Sequence, residues 1–544
     1  MLCRELYEIQ EKYGYIPEKE MKDLARRNNV PLYEVYGVAT FYPGYRVTPP
    51  PKAQINICRD FPCHLRGAVK LRDKIEEMVR EVGGEGVVVG GVSCLGQCDG
   101  APAVQINDAS YARKSEKEIL ALVQEAIAGK KLHEQHFEPM AKGPFKSDPY
   151  EGGEKYGALK ALGQSKDYDG IIKKLKEAGL RGMGGAGFPT GVKWDGVRNC
   201  KSDEKYIVCN ADEAEVATFK DREIMKSLPH LVVEGMAIAG LVTGATQGYI
   251  YIRHEYHDQI HSMNEEIKRA REAGILGANC AGSGQRYDME VFMSPGGYVQ
   301  GEESALLEAI EGKRGQPRVK PPFPVFVGLY GKPTVINNVE TLAYVAPILI
   351  KGMDWWKAQG KNGCVGLKWI GVSGHVKKPG VFEVPMGTTY REAIFDLCGG
   401  MLGDKPIKAF APSGPSGGFL PASMLDLPMD FQKMSEAGSM LGSGAIVAIA
   451  EGNDMVELAL NATQFYRNES CGKCVPCRVG SQKMVDVIYR VMEGKGKKDD
   501  YETITRLSDT MLMTSICGLG QVVAAPIDSV VKHFKPELDA KIKG

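Results

Sequence analysis

The sequence carries no excess of either charge: 68 basic residues balance 68 acidic ones over 544 positions. That removes the broad basic field by which a chain grips nucleic acid or an anionic membrane surface. It also lacks any unbroken apolar run near the ~20 residues that span a bilayer. The N-terminus, MLCRELYEIQEKYGY, has neither the basic nor the apolar stretch of a secretory leader, so a cytoplasmic protein is expected. What remains is ordinary globular composition, 43% hydrophobic and 25% charged. The chain is too long for one core and should form roughly three or four domains.

Cysteine, by contrast, is plentiful, with fourteen copies. In a reducing compartment grouped cysteines are metal ligands more often than disulfides. Cys471, Cys474 and Cys477 form C-x2-C-x2-C, with Cys517 forty residues on. Three close thiolates grip one face of a compact cluster and a remote fourth closes it, which fits [4Fe–4S] better than the paired knuckles of zinc. Lys473 and Arg478 beside this loop either offset thiolate charge or are solvated surface charge. Cys58-x4-Cys63 and Cys94-x3-Cys98 place two pairs at the ends of two expected strands, a spacing that suits one iron each of a [2Fe–2S] and leaves zinc as an alternative. Cys3, Cys200, Cys209, Cys280, Cys364 and Cys398 are scattered and read as small buried hydrophobes or inert thiols.

Periodicity divides the chain into an α/β multidomain protein. Residues 1–50 read as short helices and 51–128 as a small α/β unit. Residues 129–165 are charged and rich in Pro and Gly, a linker. Residues 166–350 alternate strand and helix as βαβ units do, giving a largely parallel, Rossmann-like sheet. Residues 351–450 carry short strands, many glycines and one helix at Tyr390 to Leu397. Residues 451–544 form a helical bundle around the cysteine loop.

Within 166–350, Arg181-Gly-Met-Gly-Gly-Ala-Gly-Phe-Pro-Thr-Gly-Val-Lys193 contains a formal G-x-G-x-x-G. A helix, Tyr168 to Leu180, precedes it where a dinucleotide-binding turn needs a strand, and Pro189 should interrupt any helix starting there. The glycines still let backbone N–H groups approach an anion, and Lys193 adds a charge. Three other segments point the same way. Cys209-Asn-Ala-Asp-Glu213 lies at the carboxyl end of a strand, Gly296-Gly-Tyr-Val-Gln-Gly-Glu-Glu303 opens a helix, and Thr334-Val-Ile-Asn-Asn-Val-Glu-Thr341 offers amides to a heterocycle. Turn chemistry and helix capping explain each singly.

With Glu34-Val-Tyr-Gly-Val-Ala-Thr-Phe-Tyr42, the first cysteine set resembles the thioredoxin-like [2Fe–2S] subunit of bacterial complex I, its roughly 24-kDa member. Residues 168–544, including Glu469-Ser-Cys-Gly-Lys-Cys-Val-Pro-Cys-Arg478, resemble the roughly 51-kDa NADH-binding flavoprotein subunit and its relatives in NAD-linked hydrogenases, formate dehydrogenases and electron-bifurcating complexes. The resemblance implies FMN on Gly182, Gly184, Lys193, Asn210, Asp212, Tyr298, Gly301, Asn337 and Asn338. It implies NAD(H) on Phe188, Glu213, Glu302, Glu303 and Phe323. It further implies a ubiquitin-like β-grasp fold around Gly371 to Gly380. The cofactors carry the chemistry, so no catalytic side chain is expected: hydride passes between NADH and FMN, and single electrons pass to the [4Fe–4S] and [2Fe–2S]. Glu302 and Glu303 favour NAD by repelling a 2′-phosphate.

Four departures from the pattern bear on cofactor affinity: Met183 for a common arginine, Ser294-Pro-Gly-Gly for a glycine–alanine run, Gln300 for a frequent cysteine, and Val216-Ala217 for proline–glycine. They motivate an alternative, an electron-relay subunit that has lost dinucleotide binding. No membrane segment or further ferredoxin-like cysteine run is present, so the partners expected are other redox subunits, of hydrogenase, formate dehydrogenase, acyl-CoA reductase or complex I type.

Overall fold

The computed structural model describes residues 2–542; Met1, Lys543 and Gly544 lie outside the described residues. Three sheets organise them. The first runs β2-β1-β3-β4, from β1 (Ala53–Cys58), β2 (Val87–Val92), β3 (Val104–Ile106) and β4 (Ala109–Tyr111). β1 and β2 are parallel and are joined by the helix Ala68–Glu81. The second sheet is wholly parallel, in the order β7-β6-β5-β8, from β5 (Tyr206–Ala211), β6 (Gln247–Arg253), β7 (Asp288–Ser294) and β8 (Thr334–Asn338). The third is mixed and combines β9 (Leu367–Gly374), β10 (Gly380–Pro385), β11 (Ile407–Ala411), β12 (Leu420–Pro421) and β13 (Ala445–Ala450). The helices Met455–Glu469, Val475–Met492, Asp499–Thr514 and Ala525–His533 complete the chain.

Parallel sheets are stable when both faces are covered. Here Ile207, Cys209, Ile250 and Ile252 join the main core on one face. The helix Pro229–Thr243 is buried at every position within that core. The alternate residues Val208, Tyr249, Tyr251 and Phe292 face a separate core built with Leu6, Ile9, Leu24, Val35 and Val38. Those come from the N-terminal helices Leu2–Tyr13, Glu18–Arg27 and Leu32–Ala39. As the resemblance implies, this segment precedes the thioredoxin-like unit in the chain, and its apolar face packs on the second sheet, whose outer aromatics require cover.

As expected, no helix runs from the glycine loop through Pro189; the next one, Thr190–Asn199, begins just after it, where proline's missing donor has no partner to lose. The expected helix at Tyr390 to Leu397 is present, with Glu392–Leu397 wound as a π-helix. Of residues 129–165, 129–156 run as a strap whose backbone is held by side chains from the units of the second and third sheets, and the rest form a helix, Gly157–Ser165. Asp258 accepts from the Phe137 N–H, Glu223 from Met140 and Ala141, and Glu383 from Lys146 and Ser147. Among the described residues no single helix is long and apolar enough to cross a membrane.

Packing in the main core leaves no room at Gly235, where a Cβ would lie 2.1 Å from the Leu342 carbonyl oxygen. Backbone cannot rotate aside as a side chain can, so Gly235→Ala is expected to cost about 1–3 kcal/mol and to lower the midpoint of thermal unfolding.

Candidate redox site

Parallel strands carry whatever follows them to one edge. Cys58 pairs in register with Val92 across β1 and β2, which brings Cys58 and Cys94 to the same carboxyl end. Cys63 lies on the short helix Phe61–Leu65 and Cys98 opens a 3-10 turn. All four are buried, with 3.3 Å between the Cys94 and Cys98 sulfurs. Hydrogen bonds from Cys58 and Cys98, with the nearby Arg253 charge, pull the Cys94 thiol well down. Cys58 and Cys98 are pushed up, first by the bonds they donate and then by burial. A cluster replaces thiol protons with iron.

The second sheet works the same way. Asn210 pairs with Asn338 across β5 and β8, and Arg253 with Ser294 across β6 and β7. The ligand-binding edge of the sheet therefore holds Asn210, Asp212, Arg253, Ser294 and Asn338 together. The glycine loop folds over this edge as helix–loop–helix, closed by Gly182 N–H to the Phe188 carbonyl (2.8 Å) and Thr190 N–H to Leu180 (2.9 Å). A Cβ on Gly184 would sit 2.9 Å from that of Asn338, and Gly187 takes φ +66° with the Phe431 ring 2.8 Å from its missing Cβ. Met183 is buried in the main core and its N–H donates to Thr341, so the substitution for arginine places a packing residue inward.

Asp212 marks where a ligand belongs. It is 7% exposed, and neither carboxylate oxygen has a hydrogen-bond partner. Burial pushes its carboxyl up to about 8 against the opposing Arg253 charge, with Ser294 easing it slightly. Glu215, absent from the residues the resemblance implied, behaves alike: burial lifts it to about 7 and its Oε1 is unpartnered. Around them, Asn210 Nδ2 donates to the Gly301 carbonyl (2.8 Å), and Asn338 caps the helix Val339–Ala343 and donates to Asp221 (2.5 Å). Two expected ligands are engaged internally. Asn337 accepts from the Trp194 indole (2.8 Å), and Glu213 receives the Asp221 and Arg222 N–H groups at the start of Asp221–Ser227. Tyr298 packs against Phe465 and Tyr466, and its N–H donates to Glu469 (2.8 Å).

A half-open mouth adjoins this floor. Phe188 and Phe323 are 48% and 50% exposed. Lys193, largely buried and lowered by that burial, donates to the Ile336 carbonyl (2.9 Å), lies 3.8 Å from Glu303 and faces the Phe188 ring at 5.9 Å. Glu302 caps the helix Glu303–Ile310, and Lys320 bridges Glu302 (2.8 Å) and Glu303 (2.7 Å). The pair of acids is thus partly neutralised by a lysine that no sequence motif singles out; its only signal is its place three residues before Phe323.

The C-terminal cysteines converge as their spacing requires. Cys471, Cys474, Cys477 and Cys517 line one small cavity with Val299, Pro317, Ile516 and Leu519. Burial lifts Cys477 to about 11 and Cys517 to about 12. Lys473 and Arg478 tie the loop through carbonyls: Lys473 donates to Pro317 (2.7 Å) and Arg478 to Gly472 (2.5 Å). Glu469, two residues before Cys471, accepts from Ser93 beside Cys94 (2.5 Å) as well as from Tyr298. Among the described residues no three His, Cys, Asp or Glu side chains are set to hold a single metal ion; thiolates around a multi-iron cluster are the chemistry both sets suit.

Residues 2–126 match the family model for a thioredoxin-like [2Fe-2S] ferredoxin, 175–347 that for the Nuo51 FMN-binding domain, 370–420 that for an SLBB domain, and 457–541 that for the NADH-ubiquinone oxidoreductase-F iron-sulfur binding region. Fold and site together define an iron–sulfur flavoprotein oxidoreductase with FMN, a [2Fe–2S] and a [4Fe–4S]. The chain is 44% identical over 395 residues to the F 2 subunit of NADH-quinone oxidoreductase in Rhizobium meliloti (strain 1021), covering 72% of this chain and 94% of that one. It is 43% identical over 372 residues to the HndC subunit of the NADP-reducing hydrogenase in Solidesulfovibrio fructosivorans, covering 68% and 76%. A solved chain of NAD+-reducing [NiFe]-hydrogenase in the H2-reduced state superposes with TM-score 0.88 at 30% identity, covering 99% of this chain and 93% of that one. The chain belongs to the family of NADH-quinone oxidoreductase F-type subunits, of NADH dehydrogenase type, with the thioredoxin-like ferredoxin fused in front.

Two measurements probe the site. Asp212 titrates higher folded than unfolded, so its contribution to stability is full at low pH and is lost as pH rises through about 8. In flavin-free protein Asp212→Asn should flatten that fall and add about 1–3 kcal/mol at pH 8, while weakening flavin retention. Ala217, where the family has glycine, is held at φ +72°. Ala217→Gly should therefore stabilise the fold by about 1 kcal/mol, read by thermal unfolding at saturating flavin.

Proposed function

We propose that this chain exchanges hydride between NAD(H) and FMN and exchanges single electrons with its two clusters, as the nicotinamide-facing subunit of a larger cytoplasmic redox complex. FMN, when bound, supplies the step between two-electron and one-electron chemistry. The chain supplies geometry and charge. Gly182 and Gly184 would let the loop backbone approach the flavin closely; Lys193, Asn210, Asp212, Tyr298, Gly301 and Asn338 would line its site. Asp212 and Glu215 offer acceptors that have no internal partner. Cys471, Cys474, Cys477 and Cys517 hold the [4Fe–4S], and Cys58, Cys63, Cys94 and Cys98 the [2Fe–2S].

The observation that carries the dinucleotide reading is the charged line Lys193, Glu303 and Lys320, with the half-exposed Phe188 ring facing Lys193 and the half-exposed Phe323 three residues beyond Lys320 in the chain. Aromatic faces stack an adenine, and Glu302 and Glu303 accept ribose hydroxyls. Lys193 and Lys320 offset the two acids, so the preference for NAD over NADP rests on Glu302 or Glu303 accepting a ribose 2′-hydroxyl, a bond that a 2′-phosphate cannot donate. Met183 packs into the main core, which argues against a relay without dinucleotide binding. The far end of the circuit lies on partner subunits of the kinds seen among the relatives, an NAD+-reducing hydrogenase and NADH-quinone oxidoreductases.

Anaerobic titration of the purified protein should show NADH bleaching the flavin at concentrations where NADPH does not; equal bleaching by both would sink the NAD assignment. In Cys517→Ala the [4Fe–4S] EPR signal should vanish while NADH still bleaches the flavin. Loss of bleaching together with normal flavin content would contradict the order flavin first, cluster second.

A further inference from the structure

Two arginines of the flavin unit are 2% exposed and point into the loop that carries Cys94 and Cys98. Arg253, at the end of β6, donates one way to the Cys94 carbonyl (2.6 Å) and the other way to the Glu213 carbonyl (2.8 Å), beside Asp212. One guanidinium therefore spans from the backbone of a cluster ligand to the backbone of the flavin floor. Its counter-charge is Glu255 (2.6 and 3.0 Å), held well down at about 2, with the Arg253 charge the largest influence opposing burial. Behind it Arg222 donates to Gly96 (2.5 Å), Gln97 (2.7 Å) and Asp99 (2.6 Å) and meets Glu223 (3.1 Å). The other charged groups around this loop are Arg113 on Asp99, His254 on Glu255, the buried Asp60, and Glu469 on Ser93. The guanidinium–carboxylate pairs are each near neutrality, so removing one member leaves an uncompensated charge in a dry site beside the cluster.

We propose that Arg253 and Glu255 are positioning residues that set the reduction potential of the [2Fe–2S], with Arg253 also locking the Cys94 loop to the flavin unit. The inference rests on the reading that Cys58, Cys63, Cys94 and Cys98 hold that cluster. Reduction adds an electron to the cluster, so a neighbouring cation favours the reduced state and a neighbouring anion disfavours it.

The two halves of the pair therefore predict opposite signs, which a merely structural role does not. EPR-monitored redox titration of the full chain, with flavin content and the [4Fe–4S] signal as internal controls, reads both. Arg253→Gln should shift the oxidised-to-reduced ratio about tenfold against reduction, a midpoint about 59 mV lower for a one-electron couple. Glu255→Gln should shift it by a similar factor the other way, and Arg253→Lys, which keeps the charge, should stay within about threefold of the parent. If Arg253→Gln fails to retain its cluster, Glu255→Gln decides alone: an upward shift supports the proposal and an unchanged midpoint overturns it. A parent protein with no [2Fe–2S] signal would instead refute the ligand assignment beneath it.

Discussion

Arg222 is a charge with almost no water. Moving a guanidinium out of solvent costs several kcal/mol unless its donors and its charge are met together. Here they are met across a joint: Asp99, Gln97 and Gly96 belong to the ferredoxin-like unit, Glu223 to the flavin unit. Each side keeps one partner if parted, Arg113 for Asp99 and Glu223 for Arg222, but the charge-assisted bonds to Asp99, Gln97 and Gly96 are lost. Arg253 also bonds across the joint, to the Cys94 carbonyl. The relative placement of the two units is thus held by buried charge-assisted hydrogen bonds. Electron transfer, which falls off steeply with distance, depends on that placement.

The two cluster sites differ in kind. The N-terminal set is fully buried, flanked by paired charges and tied to the flavin floor. Three of the four C-terminal cysteines are only half-buried, and exposed Val475, Val479, Leu512 and Met513 lie on the two helices flanking that site. Glu469 touches all three parts of the circuit, through Ser93, Tyr298 and its own place two residues before Cys471. Its carboxylate joins Ser93 and Tyr298 through two hydrogen bonds.

Much of this is legible in residue spacing, and the exceptions have physical causes. The C-x2-C-x2-C tripod announces its cavity because thiolates three residues apart must share a face. The glycine loop is separable from a dinucleotide turn on pattern alone, since the helix Tyr168–Ala178 precedes it. What spacing does not carry is what a side chain meets. Asn337 and Glu213 read as ligands and are held by Trp194 and by a helix start. Glu215 stands two residues beyond Glu213 and has the unpartnered oxygen. Arg222 and Arg253 lie inside K-D-R and I-R-H, unremarkable strings whose meaning appears only when a loop 120 to 160 positions earlier folds against them. The charged, Pro-rich stretch 129–165 looks free in sequence because its anchors, Asp258, Glu223 and Glu383, are all distant along the chain.

The first 39 residues have a bearing on how the molecule is made. The surface they cover, Tyr249, Tyr251 and Phe292, is synthesised more than 200 residues after them. Until then Leu6, Ile9 and Leu24 have no partner, and the later sheet cannot bury its aromatics without them. The chain therefore closes on itself as a ring of contacts, its beginning completing its middle. A nick in the strap at 129–156 would leave two pieces still joined through Arg222, Arg253 and the helices of residues 2–39, whereas removing residues 2–39 would expose an apolar sheet face and invite aggregation.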